Sequence, residues 1–218
     1  METDSYQYWK QIWVEPRETI HRIIHLNPNK GLWWLSSIYG FSMMINGLLP
    51  FMAEGQVPVW QAYLLALILS PICGFIVISV WSALVSFAGK IFGGAGSYKE
   101  IRAAYSWSCL PYIVNVVLWI SFALLLGRQF FLNLTHQQNM PPFEVAILFA
   151  FFILRFGAWI WSWVIYVNTL SEVQNISPLK AILNIVAAGI ILGGILLLIA
   201  YIGALAGHQT AAIIWGTI

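Results

Sequence analysis

The sequence predicts an all-α integral membrane protein: five transmembrane helices preceded by a short amphipathic interfacial helix. Three observations carry that prediction. Of the 218 residues, 60% are hydrophobic and only 8% are charged, against about 25% charged in a water-soluble domain. The charges are also segregated: none interrupts 31–53, 55–89, 103–127 or 181–218, and Arg155 alone interrupts 145–171. Each of these runs meets the requirement of about 20 apolar residues for a spanning helix. Finally, positive charge is one-sided. Lys10, Arg17, Arg22, Lys30, Lys90, Lys99, Arg102 and Lys180 fall on one predicted side and Arg128 alone on the other. This bias puts the N-terminus in the cytoplasm and the C-terminus outside; the membrane expected for the chain is the cytoplasmic (inner) cell membrane.

Residues 1–30 form the cytoplasmic N-terminal segment, and their four basic and four acidic side chains argue against a cleaved signal peptide. Trp9, Ile12, Trp13, Ile20, Ile23 and Ile24 recur mostly three and four apart with Glu18, Arg17 and Arg22 between them. Pro16 suits a first helical turn, and Asn27-Pro28 ends the helix. Its apolar face either rests on the inner membrane surface or packs beneath the bundle. The membrane domain, 31–218, then holds spans at about 31–53, 59–88, 103–127, 145–171 and 180–207. Trp33 and Trp34 open the first span and Trp60 the second, where interfacial aromatics belong. Pro71 and Pro111 each remove a backbone hydrogen bond and bend their helices. The fifth span ends at the polar break His208-Gln209-Thr210, which lies at the surface. Gly189, Gly193, Gly203 and Gly207 allow close helix approach within the bundle or across a homodimer.

The sequence narrows the chemistry. A net charge of +2 without a basic tract argues against nucleic acid. Asp4 is the only aspartate and no glutamate lies within a span, which removes carboxylate catalysis and carboxylate proton relays. Cys73 and Cys109 read as packing thiols. His21 and His25 share one helical face and His136 and His208 one predicted side, but neither pair has a third ligand, so they read as polar surface. Gly93-Gly94-Ala95-Gly96-Ser97 lacks the phosphate-loop spacing and reads as a turn into the next helix. No catalytic residue, metal or cofactor is expected.

Arg155 is the outstanding residue. Trp159, Ser162, Trp163 and Tyr166 share its helical face, with Trp159 placed for a cation–π contact. Tyr105, Ser108, Tyr112, Asn115 and Trp119 line one face of the third span, and Ser36, Tyr39 and Asn46 one face of the first. Lipid solvates such groups poorly, so the stripes should face one another. Arg155, Trp159, Trp163, Asn115, Tyr112 and Asn46 are the candidate ligand-binding residues. The alternative is that Arg155 snorkels outward and the polar residues only join helices.

Phe92-Gly93-Gly94-Ala95-Gly96-Ser97-Tyr98-Lys99-Glu100, followed by Ala104-Tyr105-Ser106-Trp107-Ser108-Cys109-Leu110-Pro111, resembles the central motif of the Yip family, the Ypt-interacting proteins. Leu170-Ser171-Glu172-Val173-Gln174-Asn175-Ile176-Ser177, with Lys180-Ala181 after it, is similar to that family's link between the fourth and fifth spans. Pro16-Arg17-Glu18-Thr19 looks like the start of its prokaryotic members. The resemblance covers roughly residues 9–200. It implies five helices, a cytoplasmic N-terminus and no enzyme; eukaryotic relatives are associated with Rab GTPases and vesicle traffic. Tyr105, Pro111 and Glu172 become structural or interaction positions. The expected function is non-enzymatic binding of membrane lipids, or of membrane or cytoplasmic protein partners, in membrane organisation or trafficking. The alternative is a small transporter or channel that uses the Arg155 face for an anionic solute or lipid headgroup.

Overall fold

The computed structural model describes residues 3–125 and 141–214, with side chains over 7–124 and 141–204. The helices are α1 (Thr3–Gln11), α2 (Pro16–Leu26), α3 (Leu32–Ala53), α4 (Val59–Gly89), α5 (Tyr98–Ser108), α6 (Ile113–Leu125), α7 (Pro142–Gln174) and α8 (Pro178–Ile214). Among the described residues five stretches, with α5 and α6 counted as one, are long and apolar enough to cross a membrane. Arg128 and His136 lie outside the described residues, and of Gly207 and His208 the backbone alone is described.

α3 and α4 are antiparallel and pack more closely than any other pair, because small residues meet at the crossing. A Cβ built on Gly74 would clash with the Ser36 carbonyl oxygen, and one on Gly40 with the Ser70 carbonyl oxygen. Ser36-xxx-Gly40 and Ser70-xxx-Gly74 are thus paired small-residue motifs that bring two backbones together. The glycines singled out in the last helix do not play this part. Gly189, Gly193 and Gly203 have no neighbour within 4 Å of a built Cβ, since α8 beyond Ala188 keeps Ile191 and Leu192 against the bundle and turns these glycines to the surroundings.

Three further expectations need correction. Ile20 and Ile23 are fully buried in a core that also holds Leu35, Ala104, Ile165 and Leu170, so α2 packs beneath the bundle and its apolar face is not spent on lipid. Burying that face in protein removes it from water without needing a membrane surface. The fifth helix also continues as backbone through His208-Gln209-Thr210 to Ile214; three polar residues with helical propensity do not break a helix. The two prolines differ as well. Pro71 sits within the unbroken α4, whereas Pro111 lies in a 3-10 turn, Leu110–Tyr112, that divides the third span.

The turns at the N-terminal end lock the helices together. Ser97 and Glu100 form a capping box that starts α5, with Ser97 N–H donating to Glu100 Oε2 at 2.7 Å. Ala95 N–H donates to the Gln174 carbonyl at 3.1 Å. Gly96 lies so close to α7 that an added Cβ would come 2.7 Å from the Val173 carbonyl oxygen. The glycine run is therefore a fitted joint between the α4–α5 and α7–α8 connections.

Candidate functional site in the bundle

The break at Pro111 shapes the site's floor. Tyr112 N–H bonds to the Cys109 carbonyl at 3.1 Å, a tightened turn that leaves the Ser108 carbonyl for another donor. Ser162 of α7 supplies it, its Oγ–H donating to Ser108 O at 2.7 Å. Thr169 Oγ, within 3.0–3.1 Å of the Ile165 and Tyr166 carbonyls of its own helix, also lies 3.3 Å from the Ala104 carbonyl. α7 is thus hydrogen-bonded onto the broken third span, as intramembrane backbone groups require.

Beyond this seam the polar stripes of α3, α6 and α7 converge on a cavity of about 420 Å³. Asn46, Tyr112, Asn115, Arg155 and Trp159 all line it, together with Tyr39 and Ser42. Five of the six candidate residues therefore share one site. Trp163 does not line this cavity. It lines a neighbouring one of about 610 Å³, with Trp81, Tyr105 and Tyr166. Tyr39, Tyr112 and Trp159 border both.

Arg155 is half-buried and turned inward. Its guanidinium carbon lies 5.3 Å from the centre of the Phe151 ring and 5.5 Å from that of Trp119. The cation–π contact expected with Trp159 is thus made with Phe151 and Trp119 instead. Side chains on a helix lean toward its N-terminus, so an arginine reaches the residue four before it rather than four after. Among the described residues it has no hydrogen bond and no ion pair.

Two further polar groups at the cavity lack partners. Asn115 is 3% exposed and Ser42 1% exposed, and neither Asn115 Oδ1 nor Ser42 Oγ has a hydrogen bond. Ser42 was missed in the sequence, although it lies three residues after Tyr39 and four before Asn46 and so shares their face. Phe152, Phe156 and Trp159 form the outer rim and are 46–59% exposed, so the cavity opens sideways from the bundle.

The histidines assemble no comparable site. His21 Nδ1 lies 3.2 Å from Glu172 Oε1, and the His21 and His25 rings are 4.4 Å apart. Among the described residues no three histidine, cysteine or carboxylate side chains come together. Glu172 therefore acts as a tether between α2 and α7, beside the bond from Arg17 Nε to Asn168 Oδ1 at 3.1 Å.

No curated protein and no solved structure matches the chain. The Yip1 domain does match, over residues 10–201, taking in α2 through most of α8 and with them the glycine joint, the Pro111 break and the Arg155 cavity. The five-helix architecture and this nearly complete match together make the chain a member of the Yip1 family.

Proposed function

We propose that this protein is a non-enzymatic, lipid-binding protein of the cytoplasmic membrane, which takes the acidic group of a membrane-dissolved amphiphile into the cavity around Arg155. The observation that carries the reading is the guanidinium without an ion-pair partner among the described residues. Glu144 and Glu172 bound the apolar stretch of α7, and Arg155 lies about 4–5 Å from the midpoint between them at 1.5 Å per residue. A cation at that depth is costly, and an acidic ligand offsets the cost. The unpartnered Asn115 Oδ1 and Ser42 Oγ point the same way, because buried polar atoms are normally satisfied. The lateral opening suits a ligand that arrives through the bilayer.

The N-terminus is cytoplasmic in this reading, supported by the gathering of Lys10, Arg17, Arg22, Lys30, Lys90, Lys99, Arg102 and Lys180 around one end of the bundle. The free face of α8 at Gly189, Gly193 and Gly203 is where a second copy of the chain would pack. Purification in mild detergent, followed by mass spectrometry of co-purified lipids, tests the function. The parent should retain acidic lipids that Arg155→Leu loses while still inserting; equal retention by both overturns the reading.

A further inference from the structure

We infer that the acidic ligand is a long-chain carboxylic acid, its carboxyl at Arg155 and its chain laid in the aromatic trough between α4 and α7. The inference rests on the reading of Arg155 as an acid-binding residue and adds the class of molecule.

The first argument is depth. A ligand group that meets Arg155 must reach the middle of the hydrocarbon, where an ionised group pays a large desolvation cost unless it can neutralise. A carboxylic acid travels there as the neutral acid, whereas a phosphodiester stays charged at any physiological pH. At the site the ionised carboxylate pairs with the guanidinium.

The second argument is the trough. The cavity of about 610 Å³ lies beside the Arg155 cavity, the two sharing Tyr39, Tyr112 and Trp159 as lining, so a chain whose carboxyl meets Arg155 passes over these rings to enter it. It follows α7 as far as Tyr166, 11 positions from Arg155, or about 16 Å. Its polar atoms are largely occupied with one another. Tyr105 O–H bonds to Tyr39 OH at 3.3 Å, and Ser162 bonds to the Ser108 carbonyl. What remains for a ligand is ring faces and the aliphatic walls of Val77, Val80 and Leu192, a lining for hydrocarbon. At the far end Trp81 Nε1–H donates to Tyr166 OH at 3.1 Å, which pairs two more polar atoms of the lining. One cationic end and one apolar run match a single-chain amphiphile.

The test uses the full-length protein in phosphatidylcholine nanodiscs, with photoreactive palmitate carrying its diazirine near the chain end. The label should map to the residues around Trp81, Val77 and Tyr166, and unlabelled palmitate should displace it. Methyl palmitate and phosphatidylglycerol should not. Arg155→Leu should weaken the displaceable labelling roughly ten- to hundredfold, the loss of a hydrogen bond to a charged group. Val77→Trp, which fills the trough, should abolish palmitate labelling yet leave labelling by a photoreactive octanoate intact, which also shows that the variant is folded. Displacement by phosphatidylglycerol as effective as that by palmitate overturns the carboxylic acid while leaving acid binding at Arg155 in place. Palmitate labelling untouched by Val77→Trp overturns the placement of the chain in the trough. Equal competition by methyl palmitate, or undiminished labelling of Arg155→Leu, overturns both the carboxylic acid and acid binding at Arg155.

Discussion

Replacing Gly74 with alanine tests the helix crossing on which the cavity depends. The added methyl would clash with the Ser36 carbonyl oxygen and lie 3.0 Å from Gly40 N. Both obstacles are backbone, so no side-chain rotation relieves the clash and α3 must move away from α4. Overpacking of a core costs about 1–3 kcal/mol, and a clash with backbone belongs at the upper end. For a chain of this size 1 kcal/mol corresponds to about 2–4 °C in Tm, so Gly74→Ala should lower the melting temperature by about 6–12 °C. Gly40→Ala should behave alike. Gly47 lies on the same helix with no neighbour within 4 Å of its built Cβ, so Gly47→Ala should be neutral or stabilising by about 0.5–1 kcal/mol through helix propensity. Thermal unfolding in one detergent, followed by intrinsic fluorescence, compares the three. A Gly74→Ala protein that melts with the parent would refute the close crossing. Because α3 carries Tyr39, Ser42 and Asn46, acid binding should fall in Gly74→Ala and not in Gly47→Ala.

Asn115→Asp places a carboxylate in the same cavity as Arg155. It should raise stability by about 1.5–3 kcal/mol while displacing any acidic ligand, seen as a higher melting temperature with lost palmitate labelling; a lower melting temperature with labelling retained contradicts it. Ile23→Ser removes a fully buried side chain from α2 and should cost about 2–4 kcal/mol. Limited trypsin digestion should then cut faster at Arg17 and Arg22, and unchanged cutting means α2 is not docked. For orientation, single cysteines at the exposed positions Lys99 and Gln56, in a background without Cys73 and Cys109, should differ toward an impermeant thiol reagent on intact cells. Gln56→Cys should react and Lys99→Cys should not; the reverse pattern inverts the topology.

The five long helices were legible because spanning a membrane is a demand on composition, and composition is local. The stripes of Tyr39 and Asn46, of Tyr112 and Asn115, and of Arg155 and Trp159 were legible from helical spacing, and they do converge. The direction in which Arg155 points was not, since spacing treats the residues four before and four after as equals while the helix does not. The small-residue crossing at Ser36-xxx-Gly40 and Ser70-xxx-Gly74 was present in the sequence. It was overshadowed by the more conspicuous glycines of α8, because motif spacing says that helices can approach and not which helix approaches which. The different fates of Pro71 and Pro111 were equally hidden. A proline removes the same bond wherever it stands, and whether the helix then breaks depends on a partner such as Ser162 that only the fold brings near.

The joint of Ala95 and Gly96 against Val173 and Gln174 gives α7 a pivot. From Glu172 beside that pivot to Arg155 is 17 residues, a rigid arm of about 25 Å. A tilt of only about 5° at the joint therefore carries the guanidinium through about 2 Å over that arm, enough to make or lose a hydrogen bond to a ligand. The bond from Ser162 to the Ser108 carbonyl lies between the joint and Arg155 and holds α7 against such a tilt, so the seam and the joint together fix where the guanidinium stands.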